Sequence, residues 1–430
     1  MQTLSTLDPE FDRLFARVVN ARREADSDVA GVVQDILRTV KTGGDDALVQ
    51  YTQRYDGYSL IDDADWKITP ERCAQAYEDL DGELRDALNL AANRIRAYHE
   101  AQLPENRDYT DDAGVRMGAI WRPVDAAGLY VPGGRAAYPS SLLMNAIPAK
   151  VAGVKRIVVV TPTPKGNSNP LVLAAAHLAG VDEIWRVGGA QAVGALAYGS
   201  DRIKAVDVIT GPGNAYVAEA KRQLFGVVGI DMVAGPSEIL VVADGKNDPD
   251  WIAADLLSQA EHDPTSQSIL ITDDAGFAAQ VEDSITLQLS LLDTGKTAKA
   301  SWDQHGVIIV VNDIGAEAPA LINQLAAEHL ELAIDDPESM LPKVRHAGSV
   351  FLGRMTPEAV GDYVAGPNHV LPTGRRARFS SGLSVLDFMK RTSFIALDDD
   401  AFNAIGPAAA TLAHAEGLPA HAKSVELRLK

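Results

Sequence analysis

From about residue 115 onward, short apolar runs rich in β-branched residues alternate with helical segments, and this alternation constrains the fold most strongly. Continuous apolar strands separated by helices are typical of parallel sheets that are covered on both faces. Strands are predicted at 156–160, 183–187 and 205–210, and in a second series at 238–242, 268–271, 307–311, 330–334 and 349–352. Two such series predict an α/β fold with two doubly wound, incomplete Rossmann-like parallel-sheet domains.

The first hundred residues have helical patterns instead. Thr69-Pro70-Glu71 is typical of a helix start, with a capping hydroxyl, a first-turn Pro and an early acid. A long helix is predicted over 81–102, and Gly43-Gly44 is predicted to end an earlier one.

Charge and hydropathy exclude several classes of protein. The 39 basic and 59 acidic residues give a net charge of −20, whereas a nucleic-acid partner would require a basic surface. No apolar run approaches the length of about 18 residues that a membrane span needs. The N-terminus has no apolar signal segment, so we expect a cytoplasmic protein. The single cysteine, Cys73, excludes an internal disulfide and a cysteine-built zinc site.

Three glycine-rich turns each join a predicted strand to a helical stretch: Tyr130–Arg135, Gly188–Gln191 and Thr210–Asn214. Glycine lets the backbone approach a phosphate, and a helix N-terminus offers it free N–H groups. Gly211 and Gly213 match only the first half of the dinucleotide fingerprint, with Tyr216 in place of the third glycine. Each turn alone is compatible with a plain strand–helix connection, but three in consecutive units favour a nucleotide cleft.

Gln259 and His262 lie three residues apart at the end of a helix-like stretch that starts at Asp248. Residues at this spacing share one face of a helix. An amide oxygen and an imidazole nitrogen suit a divalent metal of the zinc class. Alone the pair is weak evidence, because a satisfied polar helix face explains it more simply, so a metal site depends on further ligands.

Further polar residues occur at predicted element ends and in loops. Glu328 and His329 lie where a helical run meets a strand, and a carboxylate beside an imidazole is a candidate acid–base pair or a polar helix end. Asp362 and His369 lie in a glycine-rich loop, of a kind that often carries function. His421, in the short C-terminal tail, has the pattern of a surface histidine.

Taken together, several motifs closely resemble those of the L-histidinol dehydrogenase family, and the resemblance covers nearly the whole chain. The matching motifs are 129–134, 211–214, 231–238, 258–262, 328–331, 366–374, 379–384 and 416–418. The resemblance implies a zinc-dependent enzyme that oxidises L-histidinol with two NAD⁺, through L-histidinaldehyde, to L-histidine. It also implies a homodimer in which the tail of one subunit completes the site of the other.

The resemblance assigns roles residue by residue. It implies zinc ligands at Gln259, His262, Asp362 and His421, and a catalytic pair at Glu328 and His329. It implies substrate contacts at Ser237, Gln259, His262, His329, Asp362, His369, Glu416 and His421, and NAD⁺ contacts at Tyr130, Gln191 and Asn214. His329 would take the alcohol proton, Glu328 would activate water for the aldehyde step, and the metal would orient the substrate. Cys73 lies outside every motif, so a thiohemiacetal route has no candidate nucleophile there.

The same reasoning predicts the domain organisation. Residues 1–24 form an N-terminal helical extension, and 25–128 plus 236–382 form a first α/β domain with the metal and catalytic residues. Residues 129–235 form a second α/β domain with the NAD⁺ cleft, and 383–430 form a small tail domain that packs on the partner subunit.

The alternative function is a related zinc-dependent oxidation of a sulfonated diol or sulfolactate, which Glu416 disfavours because a sulfonate requires a cation. A zinc hydrolase would not need the glycine turns, and a binding module would not need so many polar motifs.

Overall fold

The computed structural model describes residues 1–21, 29–133, 138–233 and 235–429. The ends of two predicted features, the N-terminal helical extension at 22–24 and the first glycine turn at Gly134 and Arg135, lie outside the described residues, as does Ala234 of the motif 231–238. Among the described helices, none is long and apolar enough to cross a membrane.

Strands and helices alternate through most of the described chain. The strands are β1 (Gln2–Ser5), β2 (Lys67–Ile68), β3 (Arg107–Thr110), β4 (Arg116–Pro123), β5 (Ala126–Tyr130), β6 (Arg156–Val160), β7 (Glu183–Trp185), β8 (Val208–Thr210), β9 (Gly229–Ile230), β10 (Glu238–Ala243), β11 (Gln267–Thr272), β12 (Val307–Val310), β13 (His329–Ala333), β14 (Ser349–Leu352) and β15 (Met389–Ala396). The α-helices are α1 (Phe11–Asn20), α2 (Ala30–Asp56), α3 (Asp63–Trp66), α4 (Pro70–Glu78), α5 (Gly82–Glu100), α6 (Pro139–Ala152), α7 (Pro170–Ala179), α8 (Gly189–Tyr198), α9 (Ala215–Leu224), α10 (Pro249–Ala260), α11 (Ala275–Leu289), α12 (Gly295–His305), α13 (Ile314–Leu325), α14 (Pro337–Met340), α15 (Glu358–Val360), α16 (Asp399–Ala415) and α17 (Pro419–Glu426).

Two six-stranded sheets have the same internal strand order. Sheet A runs β1-β12-β11-β10-β13-β14, and sheet B runs β2-β7-β6-β5-β8-β9. In sheet A the chain adds β11 and β12 on one side of β10, and then β13 and β14 on the other side. Sheet B is built in the same way around β5. The direction of strand addition therefore reverses at β10/β13 and at β5/β8, and these are the switch points of the two sheets. All described pairings in both sheets are parallel except β2 with β7. The shared order supports the sequence-based suggestion of two equivalent α/β units.

Each sheet buries apolar side chains on both faces. In β6, Ile157 and Val159 enter one core, while Val158 and Val160 enter the core on the opposite face. In β10, alternate residues divide in the same way between two cores. This two-sided burial is what continuous apolar strands predict, and the expected doubly wound α/β class is confirmed.

The predicted domain boundaries differ from the observed packing. Helices α2, α4 and α5, assigned with the catalytic unit, pack into the two cores of sheet B. Strand β2, from the same region, pairs with β7 of sheet B. We therefore propose that residues 30–100 and 126–232 belong with sheet B and that the N-terminal residues belong with sheet A.

The two chain ends contain strands that the sequence did not predict. Gln2–Ser5 is no helix but a parallel edge strand of sheet A, paired with β12, and α1 is the helix within the described residues, 1–21, of the predicted extension. Near the other end, β15 pairs antiparallel with β4, and β3 completes a third, separate sheet. These strands are short or largely exposed, so they lack the apolar run that identifies a buried strand. From Asp399 onward the tail is helical, as expected.

The local helix signals are accurate at most of the predicted positions. The Thr69 hydroxyl caps α4 by accepting from the Arg72 N–H at 3.3 Å, and Asp81 caps α5. The predicted helix end at Gly43-Gly44 is a break, because Gly44 has φ +51° and ψ −129° while the chain resumes a helix to Asp56.

Candidate active site

One residue of β10 holds both members of the predicted catalytic pair. The Glu238 N–H donates to Glu328 Oε2 at 2.9 Å, and the Glu238 carbonyl oxygen lies 3.1 Å from His329 Nδ1. Both side chains are almost fully buried at the amino end of β13, next to β10 at the switch point of sheet A. Because a carbonyl oxygen only accepts, Nδ1 carries a proton, and His329 Nε2 is the atom turned toward other groups.

Burial and neighbouring charge shift the pKa values of the pair. Burial raises the pKa of Glu328 to about 8, against the opposing effect of His329. Burial alone would lower the pKa of His329, but Glu358, Glu328 and Asp362 together raise it well above its ordinary value. A cation bound at Asp362 would weaken that hold on the His329 proton.

Asp362 lies beside His329 with one oxygen unpaired. His329 Nε2 and Asp362 Oδ1 are 3.5 Å apart, and neither of these buried atoms has a hydrogen-bond partner among the described residues. Burial raises the pKa of Asp362, but His329, His369 and His262 lower it below its ordinary value. Buried polar atoms without partners are uncommon and call for a missing group.

Gln259 and His262 complete one side of this cluster. The Gln259 amide is fully buried at the end of α10. With its oxygen and nitrogen assigned so that both find partners, the nitrogen donates to Glu358 Oε1 at 2.8 Å, and the oxygen, 3.0 Å from the Glu238 nitrogen, shares that N–H with Glu328. His262 follows α10 and is open to solvent on one side. The atoms packed around its ring lower its pKa by desolvation, whereas the nearby Asp362 raises it. A neutral imidazole is the form that binds a metal.

Glu358 is a member of the cluster that sequence reasoning missed. It is buried in α15, its Oε1 lies 3.5 Å from His329 Nδ1, and its Oε2 accepts from Ser258 Oγ at 3.1 Å. His329, Glu358 and Asp362 each offer a ligand atom within 4.8 Å of the others. The pattern Pro357-Glu358 resembles an ordinary helix start, so the sequence contains no signal for this role.

These donors fit a zinc-class ion. The orphaned Asp362 oxygen lies close enough to His262 for their charges to interact, and Gln259 contacts Glu358, which lies in the same cluster. An imidazole nitrogen with carboxylate and amide oxygens is a donor set that suits zinc. The fourth predicted ligand is not brought there. His421 and Glu416 are exposed in the tail, and among the described residues no hydrogen bond or ion pair joins either side chain to the cluster.

The remaining predicted substrate contacts lie between the two sheets. His369 Nδ1 is 2.9 Å from the Asp362 carbonyl oxygen, and its Nε2 is 3.2 Å from Ser141 Oγ in α6. The Gly374 N–H then donates to the Glu238 side chain at 3.2 Å. Residues 369–374 thus connect the amino edge of sheet A with the helix that follows β5 in sheet B. Ser237, half-buried, immediately precedes Glu238 at the same edge.

The predicted NAD⁺ contacts lie together at the carboxyl edge of sheet B. Tyr130 ends β5, and its buried hydroxyl accepts from the Gly189 N–H at 3.1 Å, while burial raises its pKa to about 12. Gln191 is buried in the first turn of α8. Asn214 caps α9, accepting from the N–H groups of residues 216 and 217. This edge, at the switch point β5/β8, is where doubly wound sheets bind nucleotides.

Cys73 takes no part in the site. It is buried in α4 in a core of sheet B, and desolvation raises its pKa to about 11. Since the thiolate is the nucleophile, this thiol is inert at neutral pH. We expect Cys73→Ser to keep most of the oxidation activity that the family resemblance implies, measured as NADH formation. Cys73→Ala is the matched control, because it removes the thiol without burying the hydroxyl that Ser introduces. A loss of activity in both folded variants would support a thiohemiacetal route through Cys73.

Comparison with known proteins covers almost the whole chain. The family model for histidinol dehydrogenase matches residues 19–429. The curated histidinol dehydrogenase of Zymomonas mobilis is 61% identical over 420 residues, covering 98% of this chain and 97% of the relative. That of Rhodospirillum rubrum is 60% identical over 420 residues, covering 98% and 96%. The crystal structure of histidinol dehydrogenase from Elizabethkingia anophelis superposes with a TM-score of 0.94 at 37% identity, covering 100% of this chain and 98% of that one.

Proposed function

Because the chain belongs to the histidinol dehydrogenase family, we propose a division of labour among its residues for the reaction of that family. The protein is an NAD-dependent oxidoreductase of histidine biosynthesis that acts on histidinol. The alternative substrate, a sulfonated diol or sulfolactate, is disfavoured, since relatives at 56–61% identity carry the histidinol dehydrogenase name. The observation that carries the proposed roles is the buried pair Glu328–His329 held by the Glu238 backbone.

The two oxidations of this reaction need different proton transfers. In the first oxidation the alcohol loses a hydride to NAD⁺ and a proton to a base, which gives the aldehyde. In the second, water adds to the aldehyde, a hydride goes to another NAD⁺, and the carboxylate is left after further protons depart. The hydride chemistry belongs to the cofactor, so the chain's task is to orient the substrate and move the protons.

His329 is proposed to accept the alcohol proton at Nε2, the nitrogen turned away from Glu238. This role requires the pKa of His329, raised by the neighbouring carboxylates, to fall, as a cation at Asp362 would make it do. Glu328 is proposed to accept a proton from the attacking water. With a pKa of about 8, its carboxylate form is available near neutral pH and is a stronger base than an ordinary glutamate. Two groups with distinct environments can thus serve two distinct steps.

Zinc is proposed to bind at Gln259, His262 and Asp362, with His421 from a second copy of the chain. When bound, the ion supplies a Lewis-acidic centre that can hold the imidazole and amino nitrogens of histidinol. Ser237, His369 and Glu416 are proposed to contact the substrate, with the Glu416 carboxylate placed to balance the charge of its amino group. Tyr130, Gln191 and Asn214 are proposed to contact NAD⁺.

The exposed tail supports a homodimer with shared sites. Helices α16 and α17 pack mainly on each other, and Glu416 and His421 are solvent-exposed in the single chain. A second copy that received this tail would gain the fourth metal ligand and the substrate carboxylate. The proposal therefore places these two residues in the partner's site.

Mixing two inactive variants tests the shared site. His421→Asn and Glu328→Gln homodimers are each expected to be inactive in overall histidine formation. After mixing under conditions that exchange subunits, hybrid dimers would contain one site in which both residues are intact, so part of the activity should return. Mixing two batches of the same variant is the control, and no recovery in verified hybrids would contradict a site shared between subunits.

A single assay tests the overall proposal. NADH absorbance is measured with limiting L-histidinol, with and without a chelator that is later replaced by zinc. Two NADH per histidinol, lost on chelation and restored by zinc, are expected. One NADH per histidinol would contradict the second oxidation, from aldehyde to carboxylate. Turnover that the chelator does not affect would contradict the need for a metal.

A further inference from the structure

A buried ion pair holds the glycine turn that follows β8, and it lies outside every role assigned above. Lys221, in α9, and Asp231, just after β9, have side chains that are 3% and 1% exposed and form an ion pair with each other. The Lys221 ammonium donates to the Gly211 carbonyl oxygen at 3.0 Å. Asp231 Oδ2 accepts from the Gly211 N–H at 2.9 Å. The two charges therefore bind both main-chain polar groups of one residue.

The Asp231 carboxylate also binds the start of residues 232–237, the segment that ends at the proposed substrate contact Ser237. Asp231 Oδ1 accepts from the Met232 N–H at 2.6 Å, and this segment continues to Ser237. Gly211 itself has φ +108°, and a β-carbon there would collide with the Tyr130 carbonyl oxygen. The turn is thus pressed against the end of β5 and tied to the end of β9, so its position is determined on both sides.

The chemistry of the pair points to positioning and not to general stability. Two buried charges are a poor way to stabilise a fold, because apolar side chains of similar volume do so at least as well. Only a donor and an acceptor together, however, can bind the C=O and the N–H of Gly211 at once. The turn continues to Asn214, one of the proposed NAD⁺ contacts, and starts beside Tyr130, another.

We infer that Lys221 and Asp231 are positioning residues for NAD⁺, because they fix the turn from Gly211 to Asn214 against Tyr130 in the conformation that receives the dinucleotide. This inference rests on the proposed NAD⁺ cleft at the carboxyl edge of sheet B. Neither side chain needs to touch the cofactor. The pair acts through the main chain of Gly211.

The decisive protein is the double variant Lys221→Met/Asp231→Asn in the zinc-loaded enzyme. Each single variant leaves a lone buried charge and destabilises the fold, whereas the double variant leaves none. We expect a folded protein whose KM for NAD⁺ rises about ten- to a hundredfold, as for small misplacements of a binding group. Zinc content and the KM for histidinol at saturating NAD⁺ should stay unchanged. A pair with a merely structural role would lower the unfolding temperature and leave the KM for NAD⁺ at its original value, which would overturn the inference.

Two further variants keep the outcomes distinguishable. Gln191→Ala tests the NAD⁺ cleft itself: if it raises the KM for NAD⁺ and the double variant does not, the cleft stands and the positioning role falls. If the double variant raises it and Gln191→Ala does not, the positioning role stands and that NAD⁺ contact is reassigned. Lys221→Arg keeps the charge and displaces the donor, so it covers the case of a double variant that fails to fold. It should also raise the KM for NAD⁺, and an unchanged KM in folded Lys221→Arg would count against the inference.

Discussion

Replacing Glu328 with Gln is expected to separate the two oxidations. The first NADH should still form, while oxidation of the aldehyde should fall by about 10²–10⁴-fold, the usual contribution of a general base. The amide keeps an oxygen to accept from the Glu238 N–H, so His329 should stay in place. The measurement is product analysis at limiting histidinol, together with the rate with L-histidinaldehyde as the substrate.

Glu331 provides a matched control for this variant. It lies three residues after Glu328, within β13, is 1% exposed, and has a pKa raised to about 9 by burial and by the neighbouring Asp255. The raised pKa favours the protonated form of Glu331, which a Gln amide resembles, so Glu331→Gln should change the aldehyde step little. An equal loss in both variants would mean that packing, and not proton transfer at Glu328, limits the second oxidation.

The pH dependence gives an independent check of Glu328. Its proton must leave before it can act as a base, so the aldehyde rate should rise as the pH increases toward about 8 and then level off, and Glu328→Gln should lack this rise. For stability the sign is opposite. Between the unfolded pKa of 4.5 and about 8 the folded state binds a proton that the unfolded state lacks, so this group makes folding less favourable as pH increases. The free energy of unfolding of Glu328→Gln, relative to the unchanged protein, should therefore increase with pH over that window.

Loss of His262 is expected to have an equally large effect by another route. Desolvation favours its neutral, metal-binding form, and Asp362 lies close to it. His262→Asn should reduce zinc affinity by at least about a hundredfold, since even groups that only support a ligand contribute 10–100-fold. Histidinol oxidation should fall with it. Metal content per chain and activity across a zinc titration are the measurements.

A histidine outside the site controls for the substitution itself. The His346 main-chain N–H donates to Asn323 Oδ1 at 3.2 Å, and among the described residues no hydrogen bond or ion pair joins His346 to the cluster, so His346→Asn should retain full zinc content. If His262→Asn retains zinc as tightly as His346→Asn does, His262 is not a ligand. Partial rescue of His262→Asn by excess zinc would support the ligand role, because a purely structural defect would not respond to the metal.

The strands of both sheets that were predictable are those that bury both faces. Val158 and Val159 illustrate why: each enters a different core, so the whole run must be apolar. Edge strands such as β1 and the exposed β15 need only main-chain pairing with a neighbour, and their sequences carry no comparable pattern. The sequence also did not predict which parts of the chain pack on which sheet. Helix α2 packs on sheet B through contacts with residues far away in sequence, and a local pattern does not reveal such contacts.

Within the site, adjacency in sequence made Glu328 and His329 visible, and helical spacing did the same for Gln259 and His262. Glu358 was invisible, because nothing in its neighbourhood signals that its carboxylate ends 3.5 Å from His329. Asp362 and His421 could be assigned as zinc ligands only through the family resemblance. The structure places Asp362 beside His329, whereas the role of His421 depends on a second copy of the chain and stays a prediction.

The attachment of Glu328 and His329 to Glu238 has a consequence for mutagenesis. Both contacts use the peptide N–H and C=O of Glu238, which every residue except proline provides. A scan of side chains at position 238 would therefore underestimate its importance, since most substitutions leave these two groups intact. Apart from substitution by proline, only a change to the backbone itself, such as an amide-to-ester replacement at this position, would remove the N–H that orients Glu328. The alignment of acid and base is thus encoded in the main chain, where ordinary genetic variation cannot easily reach it.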